Sequence, residues 1–223
     1  MSTAIIQARM GSKRLPNKML LHLHGYPIIE WVYRRVKKSD RLNKIIFALP
    51  ENEEDDHLAW YLNSIGAIVF RGSEFDLVDR FYQAAKSSLS EIVVRICADN
   101  PLICASEIDR LIIYYNQNNC DYAYNHIPRN NTYPDGLGAE ICNIDLLEEI
   151  YTKASEPSHR EHLFNYVWEN SNQYSIETFN PPKELAYPEL KLDLDTPEDY
   201  KRLLKRTYRI EMSANEIVQT ALH

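Results

Sequence analysis

The chain has 223 residues, 44% of them hydrophobic, four cysteines and a formal net charge of -7. That length and apolar content support a packed domain and exclude wholesale disorder. The acidic balance argues against a dedicated nucleic-acid binder but leaves a small anionic substrate open, because the charge local to a site decides that.

Cys97, Cys104, Cys120 and Cys142 form no CxxC pair, and no histidines stand at zinc spacing. They read as free thiols of a reducing cytoplasm. No apolar stretch has the length of a signal peptide or a membrane span, so a cytoplasmic protein without a membrane partner is expected.

In chain order, residues 4–8 form a β-type run. Pro27 then opens a helix with Ile28, Ile29, Val32 and Val36 on one face. Residues 44–49 are the next strand. Asn52 caps a helix with an acidic start at 53–56, and Gly66 ends it. Residues 67–71 are a third strand, Asp76 caps a third helix, and the branched run 92–96 is a central strand. A helix follows Ser106. The rhythm predicts an α/β fold: a Rossmann-like, mostly parallel sheet with helices on both faces. Ligands of such sheets sit beyond the carboxyl ends of the strands, at loops 9–18, 71–76 and 97–103.

The rhythm changes after that helix. Residues 119–138, rich in Asn, Tyr and Pro, read as strands and long loops. Residues 145–153 and 161–170 look helical, and 173–179 and 190–194 look like strands. Thr196-Pro197 starts a further helix, and Ser213 with Glu216 forms a capping box for the last.

The loop Arg9-Met10-Gly11-Ser12-Lys13-Arg14-Leu15-Pro16-Asn17-Lys18 places four cations after the first strand. Such a run is either solvated surface charge or an anion site. Its place in the sheet favours the second reading. Gly11 lets backbone N–H groups approach a phosphate, and Arg9, Arg14 and Lys18 can neutralise a departing pyrophosphate. The loop has neither Walker A nor GxGxxG spacing, which points to nucleotidyl transfer rather than ATP hydrolysis. Asp99 follows the central strand and Asp195 follows the run 190–194. Together they can hold a magnesium ion that also binds a triphosphate. Asp195 is alternatively a helix cap, and alternation puts Asp193 on the same side as Asp195, able to share the metal.

The segment Ile6-Gln7-Ala8-Arg9-Met10-Gly11-Ser12-Lys13-Arg14-Leu15-Pro16-Asn17-Lys18 resembles the signature of cytidylyltransferases that make CMP-activated acidic sugars, with the spore-coat polysaccharide branch the nearest match. The similarity continues in order through Gly72–Phe81, Ala98–Ile103, Tyr133–Gly136, Arg160–His162 and Leu194–Asp199. It implies a single domain over 1–223, with an insertion at about 119–185 used for acceptor binding and for pairing into a homodimer. It implies Ala8, Arg9, Met10, Gly11, Ser12, Lys18, Arg71, Gly72, Ser73, Arg80 and Asp99 as nucleotide-binding residues, with Arg9, Arg14, Lys18 and Asp99 catalytic. It also implies Asp99 and Asp195 as metal ligands.

Tyr133, Asp135 and Glu140 fall where the family binds its acceptor, and Arg160 suits a carboxylate through its planar fork. Pro134, Asp135 and Gly136 equally suit a plain turn. Gly138 stands where relatives often carry an aspartate, and Asn17 where many have glycine. The implied reaction takes CMP from CTP to a sialic-acid-like or Kdo-like 2-keto sugar acid. The alternatives are a nucleotide-sugar glycosyltransferase, with Asp193 and Asp195 as its Asp-x-Asp pair, cytidylyl transfer to another small phosphorylated or carboxylate acceptor, and a non-catalytic nucleotide-binding protein.

Overall fold

The computed structural model describes residues 1–223. Nine strands occur in chain order: β1 (Ser2–Gln7), β2 (His22–Leu23), β3 (Tyr26–Pro27), β4 (Lys44–Pro50), β5 (Ile68–Gly72), β6 (Ile92–Cys97), β7 (Tyr122–Tyr124), β8 (Glu140–Asn143) and β9 (Ile176–Thr178). Seven of them build one sheet in the order β5-β4-β1-β6-β8-β7-β9. Within it β5, β4, β1 and β6 run parallel, β8 is antiparallel to both β6 and β7, and β9 is parallel to β7. The expected mostly parallel sheet is therefore present, with one reversed strand. The segment 119–185 continues this sheet through β7, β8 and β9.

Helices cover both faces because the strands alternate their apolar side chains. Ala4 and Ile6 of β1 face α1 (Ile28–Val36), α2 (Asp56–Ser64) and α4 (Ala105–Gln117), where Val32, Leu58 and Leu111 are fully buried. Ile5 faces the other way, toward α3 (Leu77–Ser87) and α5 (Ile144–Lys153), against Phe81 and Leu147. A third apolar cluster gathers Leu15, Trp31, Leu192, Leu194 and Leu203. It ties the first loop to the late segment that carries Asp195.

The local signals are largely realised. The Asn52 and Asp76 side chains accept from the N–H groups of Asp55 and Asp79. Gly66 has φ 76. Thr196 and Ser213 form full capping boxes for α8 (Pro197–Leu204) and α9 (Ala214–Leu222).

Two expectations need correction. The helix expected over 161–170 is two short ones, α6 (Pro157–Glu161) and α7 (Asn165–Glu169). Leu163 and Phe164 between them are both buried. Adjacent residues of a helix point about 100° apart, so breaking it lets both enter the core. Residues 190–194 are extended, but they make only an isolated bridge, Lys191 with Asp135, rather than a strand. Their alternation is kept: Leu192 and Leu194 are buried while Lys191 is exposed.

Candidate active site

The first loop leaves β1 and is held from beneath. Ala8, Met10, Leu15 and Met19 are buried, whereas Arg9, Gly11, Lys13 and Arg14 are exposed. Such a loop presents its cations on an apolar foundation. The Met10 N–H donates to the Asp55 carboxylate at 2.7 Å, and Asp55 is itself buried. The Ser12 N–H returns to the Met10 carbonyl, and the Ser12 hydroxyl accepts from the Leu15 N–H. Asn17 has φ 57, the left-handed conformation that Asn accepts more readily than most residues.

Lys18 follows and is mostly buried. Its Nζ stands 3.2 Å from Asp195 Oδ1 and 3.5 Å from Asp99 Oδ2, and it donates to the Leu194 carbonyl at 3.1 Å. Arg14 reaches Asp195 Oδ2 at 2.9 Å. The Leu194 N–H donates to the Asp99 carbonyl at 2.8 Å, which sets the two carboxylate segments side by side. Arg14, Lys18, Asp99 and Asp195, chosen from separate parts of the sequence, thus share one constellation at the carboxyl ends of β1 and β6. Capping of α8 falls to Thr196 and Asp199, and the Asp199 carboxylate also accepts from the Asp195 N–H. The Asp195 carboxylate is left to the cations. Arg9 and Lys13 make no ion pair.

Two more carboxylates adjoin the pair. Burial, and then the Asp193 carboxylate, push the Asp135 carboxyl up to about 6. Burial and Asp195 likewise raise Asp193, whose Oδ1 is buried without a hydrogen-bond partner. This surplus of negative charge and the orphaned oxygen fit a hard cation. No group of three His, Cys, Asp or Glu side chains converges on one point. The donor set therefore suits an ion that takes one or two carboxylates and completes its shell with phosphate and water, as magnesium does.

The turn after β5 is a second element at this end of the sheet. A Cβ on Gly72 would come within 2.8 Å of the Phe70 ring and 3.2 Å of Arg80 Cγ, so α3 packs closely only against glycine. Arg71 donates to the carbonyls of Pro50 and Asn52 and pairs with Asp56 at 2.9 Å. Arg80 is buried and donates to the Ser73 carbonyl; burial pushes its guanidinium down to about 10 against the opposing pull of Asp55. Both arginines thus shape the turn, whose exposed residues are Glu74 and Phe75.

Three expected acceptor residues are placed differently. Tyr133 is fully buried, with its hydroxyl on the Glu107 carboxylate at 2.7 Å, and serves the core. Glu140 is buried between Arg95 and Tyr122. Burial alone would raise its carboxyl, but Arg95, His126 and Tyr122 outweigh that and hold it below the ordinary value. Arg160 donates to Asp76 and to the Tyr151 carbonyl, so its fork is already occupied. Asp135 alone of the four stands beside Asp99 and Asp195.

Asp55 is the chief group that the sequence did not single out. Its acidic neighbours 53–56 read as a helix start, and only its separate bond to Met10 reveals the anchor. Asn125 is another: it is fully buried, accepts from the Ala139 N–H and donates to the Glu107 carbonyl. A Cβ on Gly138 would overlap both Asn125 oxygens. The side chain that relatives often carry at 138 has no room here.

Residues 3–216 match the family model described as cytidylyltransferase. An uncharacterised protein of Methanocaldococcus jannaschii is 41% identical over 90% of this chain and 81% of its own length. The spore coat polysaccharide biosynthesis protein SpsF of Bacillus subtilis is 32% identical over 96% of this chain and 91% of its own. A cytidylyltransferase structure from Leptospira borgpetersenii superposes with a TM-score of 0.89 at 31% identity, covering 98% of this chain and 92% of that one. No helix is long and apolar enough to cross a membrane.

Proposed function

Because the chain belongs to the cytidylyltransferase family, we propose that it transfers CMP from CTP to a small acidic sugar, a 2-keto sugar acid of the sialic-acid or Kdo kind. The observation that carries this reading is Lys18 set between Asp99 and Asp195 at the foot of a basic loop. A triphosphate brings negative charge to Arg9, Arg14 and Lys18, and the carboxylates are then free to take its counter-cation.

In the reaction an acceptor hydroxyl oxygen attacks the α-phosphorus. The new O–P bond forms as the bond to the β-phosphate oxygen breaks, the hydroxyl proton is lost, and pyrophosphate leaves. Lys18 and Arg14 neutralise the charge that grows on that leaving group, and Arg9 adds an unpaired cation at the mouth. Asp99 and Asp195, with Asp193 at hand, would hold magnesium, which supplies electrophilic polarisation of the phosphate oxygens. Asp135, next to these carboxylates, orients acceptor hydroxyls. The polysaccharide role in the name of the Bacillus relative agrees with an activated sugar as product. A second copy of the chain would pair through the segment 119–185, a cytoplasmic homodimer measurable by sedimentation.

The test is pyrophosphate release from each of the four nucleoside triphosphates against a panel of acidic sugars and small phosphorylated acceptors. Release from CTP with a 2-keto sugar acid is expected. A preference for UTP or ATP would overturn the nucleotide, and turnover with phosphorylated acceptors alone would overturn the sugar acid.

A further inference from the structure

The turn 73–76 has little apolar support of its own: Glu74 is exposed and Phe75 is 85% exposed. Its shape therefore rests on polar contacts. The Ser73 hydroxyl accepts from the Asp76 N–H at 3.1 Å, and the Ser73 carbonyl accepts from Arg80. Asp76 holds the other end. Its Oδ1 accepts the Asp79 N–H at 2.8 Å and caps α3. Its Oδ2 accepts two bonds from Arg160, one from Nε at 2.9 Å and one from Nη2.

Arg160 comes from α6, far along the chain. Its Nη1 donates to the Tyr151 carbonyl at 2.9 Å and also meets the Ala154 carbonyl at the end of α5. Its guanidinium lies 5.4 Å over the Tyr151 ring. One planar group thus fastens the end of α5 to the start of α3. Lysine could supply the charge but not this fork.

Resting on the proposed CTP reaction, with the Arg71-Gly72-Ser73 stretch that the resemblance marks as nucleotide-binding taken to lie beside the cytosine base, we infer that Arg160 is a positioning residue for nucleotide selection, acting through Asp76 on that turn, and not a ligand for the acceptor. The two oxygens of Asp76 separate this role from plain helix stability. Removing Arg160 leaves the Oδ1 cap in place, and the Asp76 side chain, 28% exposed, lets water replace the lost partner. The turn then loses its orientation while α3 persists.

The experiment measures binding of each of the four nucleoside triphosphates by calorimetry, and separately steady-state kinetics, for wild type, Arg160→Gln, Arg160→Lys, Asp76→Asn and the double variant Asp76→Asn/Arg160→Gln. Arg160→Gln is expected to weaken CTP binding on the order of tenfold and to narrow the CTP-over-UTP ratio. Its kcat and acceptor KM should stay within about twofold of wild type. Arg160→Lys should recover part of the loss, and the double variant should be no worse than the worse single one. A raised acceptor KM with unchanged nucleotide binding would return Arg160 to the acceptor and overturn the inference. So would a lowered melting temperature with unchanged nucleotide binding well below it. Wild type that binds CTP with its expected selectivity but turns over no sugar acid would count against the acceptor alone and leave the inference standing. Wild type that binds no nucleoside triphosphate would sink both.

Discussion

Lys18 Nζ lies 3.2 Å from Asp195 Oδ1 while also facing Asp99, so one ammonium group separates two carboxylates that would otherwise repel. Lys18→Ala removes the cation for the leaving group and exposes that repulsion. Turnover is expected to fall by about 10²-fold or more. The melting temperature should drop, and added magnesium should restore it more fully in the variant than in wild type. Activity within a few-fold of wild type would show that Lys18 does not serve the departing phosphates.

Asp99 and Asp199 make a contrasting pair. Asp99→Asn should lose about 10²-fold or more of its magnesium-dependent turnover while keeping its fold. Asp199 serves the capping box of α8, so Asp199→Asn should cost about 1 kcal/mol of stability with turnover largely kept. Denaturant unfolding and initial rates on both variants check this. Equal loss of activity in the two would place Asp199 in the metal set.

Asp135 predicts a pH dependence. Its carboxyl is pushed up to about 6 from an ordinary 3.8, by burial first and by Asp193 second. A carboxyl raised in the folded state holds its proton more tightly there, so its contribution favours folding below the ordinary value and is lost as pH rises through about 6. Asp135→Asn abolishes that loss. The variant should melt above wild type at about pH 7.5, and the gap should close toward about pH 4. A gap unchanged across that range would refute it.

Gly138→Ala tests the crowding at Asn125. The added methyl would overlap both Asn125 oxygens; Oδ1 accepts from the Ala139 N–H, and Nδ2 of the same side chain donates to the Glu107 carbonyl of α4. A loss of about 1–3 kcal/mol is expected, read by denaturant unfolding. Wild-type stability with lost turnover would instead assign Gly138 to acceptor contact.

The sheet and the ionic centre were legible because their signals are local. Residues 4–8, 44–49 and 92–96 are dense in branched apolar side chains, and Asp99 and Lys18 each follow a strand. Asn17 announced its left-handed backbone by its type. The two short helices around Leu163 and Phe164 were not legible, because a break that buries adjacent residues depends on the aromatic wall of Tyr122 facing them. Tyr133, Glu140 and Arg160 misled for a related reason. Polar side chains in a loop-rich stretch look available for ligands until their partners Glu107, Arg95 and Asp76, all distant in sequence, are known. Asp55 was hidden the same way.

The pairing of Arg14 and Lys18 with Asp99 and Asp195 also bears on the salt sensitivity of binding. A pocket of bare cations would gain its affinity by shedding counterions, and added salt would weaken it steeply. Here the cations already have internal partners. A ligand carrying both signs trades partners with the protein, as in an ion exchanger, and the site's net charge changes little. Its affinity should then decline more gently with ionic strength than four loop cations would suggest, with the unpaired Arg9 and Lys13 setting most of the slope.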